Sequence, residues 1–182
     1  DCHCSDINEF HYFDVMHLKG ERVHLERRQK LLDRLLRAEL GGKNKAHLAA
    51  FDKIERLKGL VDMYPARAGD HARYISLVLE GYADQKIACD ITPAYATLNR
   101  TGFRDMASIS PSRFLFIMRE PVDRIWSQIR MFVASNGTYQ TPDLFAEACV
   151  QRVRDLHSAG RLPKIPRANY ARTIQELESV IP

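Results

Sequence analysis

Arg113 to Met131 reads RFLFIMREPVDRIWSQIRM, and the change of pattern inside this stretch decides the fold class. Phe114 to Met118 is a continuous apolar run, too short for a free-standing helix and suited to a strand covered on both faces. Pro121 fits the first turn of a helix, where its missing N–H removes no bond and its φ is already suitable. The stretch therefore predicts a strand that turns directly into a helix. Arg119 stands just before that helix, and Arg124 and Ser127 lie one turn apart on one of its faces. The first amides of a helix lack intrahelical acceptors, so strand, turn and helix together predict a corner able to hold a phosphate. Ser127 has an alternative use, a bond back to the carbonyl of Asp123. Trp126 is expected to pack and so anchor the helix to its sheet.

Outward from this stretch, periodicity sets the organisation. Arg22 to Leu40 places Leu25, Leu32, Leu35, Leu36 and Leu40 on one side of a helix, which Gly41 and Gly42 end. A second helix is predicted over about His47 to Met63, stopped by Tyr64 and Pro65. Asp70 is suited to cap a third, carrying Tyr74, Leu77, Val78 and Tyr82. A strand near Lys86, a helix from about Pro93, the strand at Phe114 and helices at Pro121 and Pro142 then alternate as in a parallel α/β sheet. His157 to Pro166, with Gly160, Pro163 and Pro166, reads as a loop, and Tyr170, Ile174, Leu177 and Ile181 return to helical spacing.

Composition bounds the function. The chain has 182 residues, 45% of them apolar, and a net charge of +4, which fits one soluble domain with a real core. That charge favours anionic ligands mildly and is too small to point to nucleic acid. No apolar run approaches the ~20 residues of a membrane span. The four cysteines, at 2, 4, 89 and 149, make no disulfide framework, and Cys2-His3-Cys4 has no second ligand pair at zinc spacing. Reduced thiols in a cytoplasmic protein are the expectation.

The order Arg119, Pro121, Arg124, Ser127 resembles the 3′-phosphate-binding motif of the PAPS-dependent sulfotransferases. The resemblance implies that Arg119 and Ser127 grip the 3′-phosphate of 3′-phosphoadenylyl sulfate (PAPS), with Arg124 adding charge. Asn8 to Asp14, NEFHYFD, resembles the catalytic segment of the branch that includes the heparan sulfate O-sulfotransferases. It implies Glu9 as the general base, supported by His11 and Asp14, with Asn8 where the family usually has lysine. Read from the residues alone, an extended segment projects Glu9 and His11 to one face, and the flanking aromatics equally suit the edge of a core. Asp90, Thr92, Pro93 and Tyr95, within KIACDITPAY at 86–95, resemble the family's acidic-x-Thr/Ser-Pro-x-Tyr segment, which implies that they border the acceptor pocket. Arg167 to Pro182 is similar to the helix after the family's mobile loop, Ala168 replacing a glycine.

The implied fold is α/β, a parallel central sheet flanked by helices in the P-loop NTPase manner, as one domain over 1–182. The implied reaction is sulfuryl transfer from PAPS to a hydroxyl or amine of a small-molecule or carbohydrate acceptor, without a metal. Family members start with a strand and a loop for the 5′-phosphosulfate. No Gly-x4-Gly-Lys-Ser/Thr occurs here, since Gly41-Gly42-Lys43 lacks the spacing. The chain is therefore expected to be an internal portion of a longer enzyme, not sufficient alone for turnover. Two other readings are a P-loop kinase-like enzyme, which would need a Walker lysine and Mg²⁺-binding carboxylates, and a non-catalytic anion- or nucleotide-binding module on the same fold.

Overall fold

A computed structural model describes residues 1–5, 7, 9–40, 47–64, 69–162 and 165–181. Asn8, the Gly41-Gly42-Lys43 cluster, Pro65, Pro163 and Pro182 lie outside the described residues. In chain order the regular elements are β1 (Cys2–Cys4), α1 (Tyr12–His17), α2 (Val23–Leu40), α3 (His47–Asp62), α4 (Ala72–Val78), β2 (Ile87–Cys89), α5 (Arg100–Ala107), α6 (Pro121–Asn136), α7 (Pro142–Ser158) and α8 (Tyr170–Glu178). The described residues are mostly helical, with one parallel pair of short strands in which His3 stands opposite Ala88 and Cys4 opposite Cys89. The architecture is α/β in that coarse sense.

The backbone gathers into two compact units. The first holds 1–113 with 176–182, the second 114–175. In the first, α2 packs on α3 and α1 on α5. The core there is aromatic: Phe10, Tyr12, Phe13, Tyr74, Tyr95 and Phe103 bury together with Leu60, Met63 and Leu98. Tyr12 stacks on Tyr74 with ring centroids 4.2 Å apart and planes 3° from parallel, and Phe13 meets Tyr74 and Tyr95 edge-on, the offset and T-shaped geometries that aromatic quadrupoles favour. A buried polar chain crosses this core from α1 to α5. The Tyr12 hydroxyl meets His71 Nδ1 at 3.0 Å, His71 Nε2 lies 3.3 Å from an oxygen of Asp105, and His17 Nε2 lies 2.8 Å from the other.

The second unit is built on α6 and α7, which pack through Ile129, Val133 and Cys149. Both helices start as the sequence predicts. Pro121 and Pro142 open them, Glu120 accepts from the amide of Asp123 at 2.8 Å, and Thr141 accepts from the amide of Leu144 at 3.3 Å.

Four expectations are corrected. Phe114 to Met118 carries no strand pairing among the described residues; Leu115 is 87% exposed and Ile117 75%, while Phe114 and Phe116 are partly covered. Burial thus alternates only over 114–117, and Met118 is 54% exposed, so the run is not covered on both faces. At Pro93 the chain makes a 3-10 turn, Pro93–Thr97, and the helix waits until Asn99 caps it by accepting from the amide of Gly102 at 3.0 Å. The third helix ends before Tyr82, although Asp70 does accept from the amide of Ala72 at 3.2 Å. Trp126 is 39% exposed and faces outward more than a packing anchor would.

Candidate functional site

The segment leading into α1 holds Glu9, His11 and Asp14, and its backbone is not extended. His11 has φ 52 and ψ 36, in the left-handed region, and stands at the N-cap position of α1 without a side-chain capping bond. Such a conformation is uncommon outside glycine, though histidine is among the residues enriched there, and it persists where the surroundings over-determine it. Here they do, because five backbone polar groups around the bend are claimed by side chains. Arg28 of α2 donates to the carbonyls of Glu9 and Phe10 at 2.8 and 2.6 Å. The Tyr64 hydroxyl donates to the carbonyl of His11 at 3.0 Å. The amide of Phe10 donates to Thr92 Oγ1 at 3.1 Å, and that of Tyr12 to the Tyr95 hydroxyl oxygen at 3.2 Å. A segment without ladder bonds thereby finds side-chain partners for these groups.

That bend brings Glu9, His11 and Asp14 into one chain. His11 Nε2 lies 2.8 Å from Glu9 Oε2 and His11 Nδ1 2.6 Å from Asp14 Oδ2. The order of burial is informative: the side chain of Asp14 is 0% exposed, that of His11 8% and that of Glu9 43%. A buried carboxylate holds an imidazole, and the imidazole holds a carboxylate that faces solvent. Each nitrogen of the His11 ring thus faces a carboxylate oxygen. Asp14 Oδ1 is buried with no hydrogen-bond partner among the described residues.

Two contributors escape sequence reading. Arg28 sits in the middle of an amphipathic helix like any surface arginine, and nothing local marks its reach to the Glu9 and Phe10 carbonyls. His24, also on α2, stacks its ring on His11 with centroids 3.5 Å apart and planes 15° from parallel. Burial, followed by the neighbouring His11, holds the His24 imidazole below the usual histidine range. His24 Nε2 also lies 3.2 Å from Glu21.

His11, Asp14 and His24 are the group of metal-type ligands that comes closest together among the described residues, within 4.8 Å. The arrangement does not suit an ion. Ring nitrogens direct their lone pairs in the ring plane, so two nearly parallel stacked rings cannot both aim at one centre. Both nitrogens of His11 already face carboxylates.

Asp90, Thr92 and Tyr95 come together beneath this segment and do not form an open wall. Asp90 Oδ2 accepts from the hydroxyls of Tyr74 and Tyr95, both at 2.7 Å, and Oδ1 accepts from Thr92 at 2.6 Å. Each hydroxyl has one proton. Committing those protons to Asp90 leaves the Thr92 and Tyr95 oxygens free to accept the amides of Phe10 and Tyr12. Thr92 and Tyr95 are buried, and their polar atoms are used to hold Asp90 and the amides of Phe10 and Tyr12. Burial pushes the Asp90 carboxyl above the usual aspartate range, outweighing its three hydroxyl donors, and pushes the Tyr74 and Tyr95 phenols up as well.

A group whose pKa is raised by folding binds more protons folded than unfolded in the window just above its unfolded pKa, so its contribution to stability falls as pH rises. Relative to Asp90→Asn, the wild type is therefore expected to lose stability between about pH 4 and neutrality. Urea midpoints of both proteins across that range measure it, and a gain in place of a loss would show that the hydroxyl bonds outweigh burial.

In the second unit, Arg119 is exposed and its amide donates to the Tyr170 hydroxyl oxygen at 3.3 Å. Tyr170 also meets Phe116 edge-on at 5.7 Å. Burial pushes the partly buried Arg124 guanidinium below the usual arginine range, and the positive charges of Arg167 and Arg119 act in the same direction. Three guanidiniums thus share one field, and no carboxylate is within ion-pair distance of any of them among the described residues. Arg167 is the member that sequence reading left out. The helix start contributes less than expected, because Glu120 already occupies the amide of Asp123. Ser127 is partly buried and, unlike Ser135 with the carbonyl of Met131, makes no bond to its own preceding turn among the described residues.

Comparison with protein-family models, with curated proteins and with solved structures returns no match. No helix among the described residues is long and apolar enough to cross a membrane.

Proposed function

We propose that this chain carries the acceptor-activating and 3′-phosphate-binding parts of a PAPS-dependent sulfotransferase acting on a hydroxyl or amine of a small-molecule or carbohydrate acceptor. The observation that carries the reading is the hydrogen-bonded order Asp14, His11, Glu9, which runs from buried to exposed and leaves a carboxylate oriented toward solvent. A general base needs that combination of access and orientation. Glu9 takes the proton of the acceptor as its oxygen or nitrogen attacks sulfur in line, and the bond from sulfur to the phosphate oxygen breaks to release adenosine 3′,5′-bisphosphate. His11 donates to Glu9 and fixes its rotamer; Asp14 fixes His11. By analogy with phosphoryl transfer, positioning and charge do most of the catalysis, and the reaction as written needs no metal.

The uncompensated Arg119, Arg124 and Arg167 support a dianion site in the second unit, arginine being suited to bidentate contacts with phosphate. Ser127, whose hydroxyl has no partner among the described residues, adds a neutral donor. On this reading the β1–β2 pair belongs to a larger parallel sheet of the P-loop NTPase type, and the four free cysteines accord with a cytoplasmic setting.

Calorimetric titration of the intact protein tests the phosphate assignment. Adenosine 3′,5′-bisphosphate is expected to bind more tightly than 5′-AMP. Arg119→Ala is expected to weaken the bisphosphate alone by tenfold to a hundredfold, the range of ~1.5–3 kcal/mol for a hydrogen bond to a charged group. Equal affinities for the two nucleotides would remove the 3′-phosphate site.

A further inference from the structure

Three of the four cysteines gather at the two-stranded sheet. Cys4 stands opposite Cys89 in register, Cys2 precedes Cys4 by two positions and so shares its face, and Cys2 Sγ lies 3.1 Å from Cys89 Sγ. All are free thiols, Cys2 exposed and Cys89 partly buried. The three sulfurs do not gather around a point as metal ligands would, since His11, Asp14 and His24 are the group that meets that condition among the described residues. Two-sulfur chemistry is what this placement allows.

We propose that Cys2 and Cys89 close a reversible disulfide when the protein meets a low-molecular-weight disulfide such as oxidised glutathione. The exposed Cys2 thiolate attacks one sulfur of the oxidant, forming a mixed disulfide and releasing one glutathione thiolate. Cys89 then attacks the Cys2 sulfur, the mixed disulfide breaks, and the second glutathione leaves. The two protons of the protein thiols end on the two glutathione molecules, and two electrons pass from protein to oxidant. The exposure of Cys2 and the partial burial of Cys89 assign the first attack to Cys2 and resolution to Cys89; contact with Cys2, followed by burial, pushes the Cys89 thiol up to about 11. Closing the bond to a length near 2.0 Å asks for a shift of about 1 Å from the contact distance.

The position gives the bond a consequence. β1 leads into the Glu9 segment, and Cys89 is bonded directly to Asp90, whose hydroxyl partners hold the amides of Phe10 and Tyr12. The disulfide would tie together the two strands that feed this network.

The full chain, incubated with oxidised glutathione and then denatured and alkylated, is expected to show two reactive thiols in place of four, an intact mass lower by two hydrogens, and reversal by dithiothreitol. Cys4→Ser should still close the bond, Cys2→Ser and Cys89→Ser should not, and Cys149, buried in the other unit, should stay reduced. Four alkylatable thiols after oxidation, a stable glutathione adduct without closure, or a bond that survives Cys2→Ser would each overturn the assignment. The thiol count on the wild type stands even if a serine variant fails to fold.

Discussion

Glu9→Gln is expected to lower the turnover of the intact protein by roughly 10²–10⁴-fold, the usual contribution of a general base, while adenosine 3′,5′-bisphosphate binds as before. The substitution is close to isosteric, and the amide oxygen of glutamine can still accept from His11 Nε2. What would disappear, on the proposed function, is the capacity to take a proton from the acceptor. The fold should not suffer, because the Glu9 side chain is 43% exposed and the segment is held by its backbone through Arg28, Thr92, Tyr95 and Tyr64. The comparison that decides is kcat against the affinity for the nucleotide product. A fall in kcat alone places Glu9 at the chemical step; activity within about threefold of wild type, far inside the range for a general base, would return the Glu9–His11–Asp14 chain to a structural role.

Legibility in the sequence followed how local each cause is. Pro121 and Pro142 announced their helices because an N1 proline acts on its own turn, and the stripe of Arg22 to Leu40 announced α2 for the same reason. The Glu9, His11 and Asp14 set was legible as a pattern, yet the geometry joining it was not. An extended strand and a left-handed bend both bring residues 9 and 11 together, and what selects the bend is four side chains drawn from α2, from the end of α3 and from the turn after β2. Their contribution is long-range, as are the His24 stack and the Arg28 clamp. The bonds that Asp90, Thr92 and Tyr95 make were not legible for a related reason: a polar triplet after a strand looks the same whether its hydroxyls face a substrate or hold a neighbouring backbone. Phe114 to Met118 failed because a short apolar run states that it can be covered, and coverage depends on partners that composition does not name.

Tyr12→Ala is expected to lower stability by about 3–5 kcal/mol, the range for removing a large aromatic from a core, with Tyr12→Phe costing about 0.5–1.5 kcal/mol for the lost hydroxyl bond. Tyr12 is fully buried, stacks on Tyr74 and Tyr64, meets Phe13 edge-on, and pairs its hydroxyl with His71. Alanine removes the ring from the centre of that cluster and leaves a buried His71 nitrogen without its partner, so transfer, cavity and polar terms all have the same sign. Because domain stability is commonly about 5–15 kcal/mol, such a loss approaches the whole margin. It also bears on chemistry, since Tyr12 is the residue after His11 and begins the helix that carries Asp14. Urea unfolding measures both variants, with the midpoint falling and the slope unchanged if only stability is altered. A cost for Tyr12→Ala no larger than that for Tyr12→Phe would mean that the hydroxyl bond to His71, and not the stacked rings, holds α1 in place, and the bend at His11 would then rest on the polar network alone.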